Sequence, residues 1–162
     1  MNAEKPRVVF DCMVYLQAAA RGLSRARACL RLAEIRQIHL FISRPIVAEV
    51  QDVLSRDRIR QRFDALTDES VAIFLDRVRK ASRLIKTVPK RFDYQERDAK
   101  DEPYINLAVE VQADYLVSRD NDLLDLMRWD RDAGREFQKR FRFLKVVTPE
   151  VFLDEMKKRT TP

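Results

Sequence analysis

The chain has 162 residues, 46% of them hydrophobic, which suits one folded domain spanning 1–162 with a buried core rather than a disordered tail. Thirty-two Lys and Arg against 26 Asp and Glu give a net charge of +6, compatible with a nucleic-acid partner and equally with a solvated mixed-charge surface. With two glycines, one histidine and two cysteines, the chain can form no glycine-rich phosphate loop, no His-pair mechanism and no four-thiolate zinc site.

Five short apolar runs alternate with helical patterns. The first, Arg7-Val8-Val9-Phe10, ends in Asp11. Ser24 then caps a predicted helix that turns Cys29, Leu30, Leu32 and Ala33 inward. The second run, 38–43, is opened by the polar His39. Pro45 suits the first turn of a helix reaching about Leu54. Residues 56–67 join a helical pair that projects from the sheet. Thr67 or Asp68 opens a longer amphipathic helix, with Val71, Phe74, Leu75 and Val78 at helical spacing. The third run is 84–88. Pro103 starts a helix to about Gln112, Asp114 falls in a turn, and the fourth run is 115–118. A basic stretch with aromatics, 129–142, precedes the fifth run, 143–147. Thr148-Pro149 opens the last helix, carrying Val151, Phe152 and Met156. Runs one, four and five are almost continuously apolar, as strands buried on both faces are. Strand and helix in alternation predict an α/β fold with a parallel sheet and right-handed crossovers. No stretch approaches ~20 uncharged apolar residues, so no membrane span is expected. Free thiols and the absence of a signal-peptide pattern point to a cytoplasmic location.

Ligands of parallel α/β sheets bind beyond the carboxyl ends of the strands. Asp11 and Asp120 follow the first and fourth runs and therefore share that edge. Glu49 lies beside the apolar stripe of Ile46, Val47, Val50, Val53 and Leu54, whereas Asp52 points away. Asp101 stands just before Glu102-Pro103, where an N-cap is its plain alternative role. Each acid alone is ordinary. Four on one edge are not, because like charges at ~4 Å repel by roughly 4 kcal/mol per pair at an effective dielectric of 20. Such a cluster binds cations or keeps a proton. Its hard oxygen donors select Mg2+ or Mn2+ over zinc, and a hard ion among carboxylates in a basic protein fits phosphodiester hydrolysis.

The sequence resembles the PIN domain family of metal-dependent ribonucleases. The resemblance rests on Val8-Val9-Phe10-Asp11, on the stretch from Ser43 through Pro45 and Glu49 to Val50, and on Arg97-Asp98-Ala99-Lys100-Asp101. It continues through the block from Ala113 to Leu124, which contains Ser118-Arg119-Asp120-Asn121-Asp122, and the closing Val147 to Leu153. It is nearest to the bacterial toxin components of toxin–antitoxin systems, the VapC-like ribonucleases. It implies a three-layer α/β/α sandwich with a five-stranded parallel sheet in the order 3-2-1-4-5. It implies Mg2+- or Mn2+-dependent endonucleolytic cutting of RNA, a small antitoxin partner and a homodimer. By position, Asp11, Glu49, Asp101 and Asp120 are the catalytic and metal-binding acids, with Asp122 a fifth candidate and Ser118 the hydroxyl beside them. One departure stands out: Cys12 and Met13 occupy positions where the family usually has a small hydroxyl residue and then Asn.

That departure motivates a second reading, a catalytically weak PIN-like module that binds RNA or protein. An aspartyl-phosphate phosphatase is disfavoured because Met13 stands where a second Asp is needed. Strand alternation would turn the Cys12 thiol away from the acids, as a small core residue, and Cys29 reads likewise. Asp98 reads as a loop acid or a supporting partner of Asp101. Arginines group at Arg21, Arg25, Arg27 and Arg31, and again at Arg56, Arg58, Arg60 and Arg62. Arg128, Arg131, Arg135, Lys139, Arg140 and Arg142 flank Trp129, Phe137 and Phe141, a combination suited to phosphates and unpaired bases. The helix 68–83 offers a dimer face.

Overall fold

The computed structural model describes residues 4–93 and 99–160, so Arg97 and Asp98 lie outside the described residues. Five parallel strands are found among the described residues: β1 (Arg7–Phe10), β2 (His39–Ser43), β3 (Ser82–Ile85), β4 (Tyr115–Val117) and β5 (Lys145–Val147). Their order is β3-β2-β1-β4-β5. Helices flank the sheet: α1 (Cys12–Ala20), α2 (Arg25–Glu34), α3 (Arg44–Ser55), α4 (Asp57–Arg62), α5 (Asp68–Ala81), α6 (Glu102–Glu110), α7 (Asn121–Leu124), α8 (Asp132–Arg140) and α9 (Pro149–Thr160). From β1 to β3 the chain steps one way along the sheet, and from β3 to β5 it crosses back and steps the other way. Right-handed crossovers therefore put α1–α5 on one face and α6–α8 on the other.

Local chemistry sets the helix starts. The Ser24 hydroxyl accepts from Arg27 N at 3.1 Å. Thr67 and Ser70 form a reciprocal capping box, each hydroxyl accepting the other's backbone N–H. Pro45 and Pro103 sit in the first turns of α3 and α6.

The central strands are buried throughout Val8–Phe10 and Tyr115–Val117. On one face Phe152 of α9, fully buried, meets the edges of Phe10 and Tyr115 at 6.5 and 5.3 Å. On the other, Phe92 packs against Phe137 of α8 and Phe141, which follows that helix, at 5.3 and 6.1 Å. The buried Asn106 side chain of α6 accepts from the backbone N–H groups of Arg91 and Phe92, fixing this segment to the helix. Arg7 anchors the opposite edge of the sheet: its N–H donates to Asp114 and its Nε to Val111 O.

The fifth strand starts at Lys145, two residues later than the apolar run, and two other placements differ from the sequence pattern. The third strand begins at Ser82, not Leu84, because its register is set by pairing with β2 from Leu40↔Ser82 to Ser43↔Ile85. It is the edge strand and half exposed, so apolar content carried little information there. The segment after Asp11 forms α1, a helix the patterning did not distinguish, since CMVYLQAAA has no polar face.

Candidate metal centre

The strand β1 stops at Phe10, and Asp11 turns the chain into α1. Its backbone N–H still donates to Val117 O at 3.0 Å, tying it to β4, while one carboxylate oxygen accepts from Val14 N at 3.1 Å as the helix cap. The other oxygen accepts a short hydrogen bond from the Ser118 hydroxyl. Ser118 lies at the end of β4 and is fully buried; its oxygen accepts in turn from Asp120 N at 2.9 Å. One hydroxyl thus links the two acids expected at this edge. Asp120 caps α7 by accepting from Asp122 N at 2.8 Å. Asp11 and Asp120 therefore fill the ordinary capping role as well as the edge role that the sequence suggested.

Asp101 ends a single 3-10 turn and precedes α6. Its side chain makes no capping bond to that helix, so the plain N-cap reading does not hold, and the residue is buried. Asp101, Asp120 and Asp122 each present an oxygen, and these three atoms lie within 4.8 Å of one another. Two unit charges at that spacing repel by about 3.5 kcal/mol at an effective dielectric of 20. An octahedral Mg2+ spaces its ligand oxygens by roughly 3–4 Å, which small side-chain rotations reach. The donor set is all oxygen, which fits a hard divalent ion.

Asp11 and Glu49 stand outside this tight triplet but border the same cleft. It has a volume of about 430 Å³ and is lined by Asp11, Glu49, Asp101 and Asp120 together with Cys12, Tyr104 and Lys100. All four sequence-predicted acids are thus brought to one cleft, and Asp122 adjoins it. Leu16, Val53 and Ile59 form its apolar wall, and Arg56 stands at its rim. Burial pushes the Asp11 carboxyl up to about 6; the Asp120 charge adds to this, while the bonds from Ser118 and Val14 pull it back. An anion destabilised by its own fold gains most from a cation.

Cys12 corrects the sequence reading. Strand alternation ends at Phe10, so Cys12 is the first helical residue, and its half-buried thiol faces the cleft instead of the far side. Burial, with the Glu49 and Asp11 charges, pushes that thiol up to about 12, so it is neutral there. Tyr104 was also missed as a cleft residue; its ring reads as core, but its buried hydroxyl has no hydrogen-bond partner among the described residues. Burial and the neighbouring acids raise its pKa. Lys100 was legible only as the neighbour of Asp101.

Arg119, between Ser118 and Asp120, points away from the acids. Its guanidinium binds Gln17 of α1 at 2.7 Å and both oxygens of Glu150 of α9, at 2.5 and 3.1 Å. It clamps the strand end between two helices and holds the Glu150 carboxyl below its usual range.

A parallel sheet in this order, with the buried Asp11 after β1, the half-buried Asp120 after β4 and an all-oxygen cluster beside them, defines a class: an α/β domain whose carboxyl edge gathers carboxylates able to hold a divalent ion. The PIN domain family model matches residues 7–122, and the chain belongs to that family, whose members are generally metal-dependent nucleases. No curated protein was found to match the sequence. Among the described residues no helix is long and apolar enough to cross a membrane.

Proposed function

We propose that the chain, as one domain over 1–162, is a Mg2+- or Mn2+-dependent endoribonuclease and the toxin of a toxin–antitoxin pair. The observation that supports it most is the meeting, at one cleft, of Asp11, Glu49, Asp101 and Asp120 from four separate stretches of sequence, with Asp122 against them. Asp101, Asp120 and Asp122 would hold the ion, with Asp11 and Glu49 completing the site. A bound divalent ion supplies charge stabilisation at a phosphoryl oxygen and a more acidic water.

The chain's own residues do the rest. Ser118 and Val14 hold Asp11 in one orientation, which removes the cost of ordering it at each turnover. Lys100 and Arg56, the latter paired with Asp52, bring positive charge to the cleft for the phosphodiester. One carboxylate accepts the proton of the attacking water, and the bond from phosphorus to the leaving ribose oxygen breaks. The toxin assignment carries with it a small antitoxin, a homodimer and a cytoplasmic site of action.

A catalytically weak RNA- or protein-binding module is the second reading. A neutral Cys12 thiol in the cleft, followed by exposed Met13, supports it: neither supplies the hydroxyl or amide that usually assists the acids. Two measurements separate the readings. Purified protein and its Asp11→Asn variant are compared on an RNA panel with Mg2+ or Mn2+, and each is titrated with Mn2+ by calorimetry. The nuclease reading expects cleavage by the native chain only and weaker Mn2+ binding by the variant. Cleavage retained by Asp11→Asn, or no ion binding at millimolar concentration, refutes it. Growth arrest on induction of the native chain, relieved by Asp11→Asn, tests the toxin role.

A further inference from the structure

The basic stretch before β5 separates into two populations. Arg128 pairs with Asp130 and Asp125, Arg131 with Asp125, Arg135 with Asp132 and Arg140 with Glu136. These arginines are largely neutralised by their own neighbours. Among the described residues Lys139, Arg142 and Lys145 have no such acidic partner.

Arg142 and Lys145 line one groove, and Lys139 reaches it through the ring of Trp129. It has a volume of about 520 Å³ and runs along β5, the terminal strand, between Met127, Trp129, Phe141, Arg142, Lys145 and Val147. No carboxylate lines it among the described residues. Trp129 is 56% exposed, and the Lys139 ammonium sits 5.7 Å from its ring centroid. Its backbone is fixed, since its carbonyl accepts from Arg135 at 3.0 Å. Phe143, 43% exposed, adds a second aromatic surface nearby.

One end of the groove adjoins Ser118. Val147 at its end accepts from Ser118 N at 2.9 Å, and Ser118 bonds Asp11. Trp129 itself follows Asp122 by seven residues, through α7 and one 3-10 turn. A strand of three residues is only about 10 Å long, so the groove and the cleft lie one short strand apart.

We propose that this groove binds single-stranded RNA, stacking an unpaired base on Trp129 while Lys139, Arg142 and Lys145 meet its phosphates, and so feeds the strand toward the acidic cleft. The proposal rests on the nuclease reading for its direction but not for its test. Exposed aromatic faces beside uncompensated cations are the chemistry of single-strand binding. A protein ligand added to the β5 edge would not need three unpaired cations.

Trp129 is the chain's single tryptophan, so its fluorescence reports on this groove alone. The full chain, in EDTA to prevent cutting, is titrated with an eight-residue oligouridylate, reading tryptophan emission and the anisotropy of labelled RNA together. Saturable quenching that tracks the anisotropy is expected. Trp129→Leu should weaken binding about 5- to 150-fold and Trp129→Phe far less. Arg142→Ala or Lys145→Ala should each lower the slope of log K against log salt by about 0.7. Duplex RNA of the same length, its bases already stacked, should bind much more weakly. RNA that binds Trp129→Leu as tightly as the native chain, or binds without changing emission, overturns the groove. An equal affinity for duplex overturns the stacking. Cleavage with an indifferent Trp129 would leave the nuclease reading standing, whereas quenching by a chain that cuts nothing would keep the groove and remove that reading.

Discussion

Replacing Asp11 by Asn should make the metal-free protein more stable at neutral pH while weakening its response to metal. The carboxyl ordinarily titrates near 3.8, and burial moves it to about 6 in the fold. Between those values the folded state holds a proton that the unfolded state has released. Stability from this group is therefore full below pH 3.8 and is lost as pH rises through 6. At 1.36 kcal/mol for each tenfold change in proton affinity, the loss is about 3 kcal/mol. Asn carries no charge, and its side-chain oxygen can still accept the Val14 N–H that caps α1. In EDTA at pH 7.5 the variant should exceed the native chain by up to about 3 kcal/mol, or about 6–12 °C in Tm for a chain of this size. Near pH 4 the difference should vanish. Mn2+ at a hundred times its Kd for the native chain should raise that chain by about 2.7 kcal/mol and the variant by less. Urea unfolding at three pH values, with and without Mn2+, reads all of this. A variant less stable than the native chain in EDTA at pH 7.5, or a difference that does not change with pH, would refute the reasoning.

Ser118→Ala removes the hydroxyl shared by Asp11 and the Asp120 backbone; unfolding at pH 7.5 should show a loss of about 1.5–3 kcal/mol, and calorimetry a weaker Mn2+ affinity. Phe152→Ala empties the ring that meets Phe10 and Tyr115 and should cost about 3–5 kcal/mol in urea without changing the pH profile of stability. Gly134→Ala drives a methyl to 2.0 Å from the Arg128 carbonyl oxygen. Because that atom is backbone, α8 must shift from the turn at 125–128; the cost is about 3 kcal/mol, and Trp129 emission should change with no RNA present. Arg119→Ala frees Glu150 and Gln17 and should lower stability by about 1 kcal/mol, an effect that shrinks as pH falls and Glu150 takes up its proton.

Much of this architecture was legible because local chemistry and burial agreed. Strands buried on both faces have no polar alternation, so Val8–Phe10 and Tyr115–Val117 read directly. Ser24, Thr67, Pro45 and Pro103 marked helix starts by what they can bond or cannot donate. The β3 start was hidden, since an edge strand owes its place to its neighbour and not to its own apolarity. At Cys12 the error had one cause, the extension of a period of two past a cap that imposes a period of 3.6. Asp11 and Asp120 could be placed at one edge from sequence. Their link through Ser118 could not, because it depends on two strand ends lying side by side across a sheet. Likewise the division of the last arginine cluster into paired and unpaired members needed the folded positions of Asp125, Asp130 and Asp132.

Asp11 and Asp120 each hold a helix start by accepting a backbone N–H. Asparagine does that duty as well as aspartate but brings no negative charge. On the nuclease reading, a single-base drift from one to the other would remove the negative charge and leave the scaffold whole. Descendants of such a chain could persist as folded, inert copies, still able to occupy whatever surface the active ancestor met.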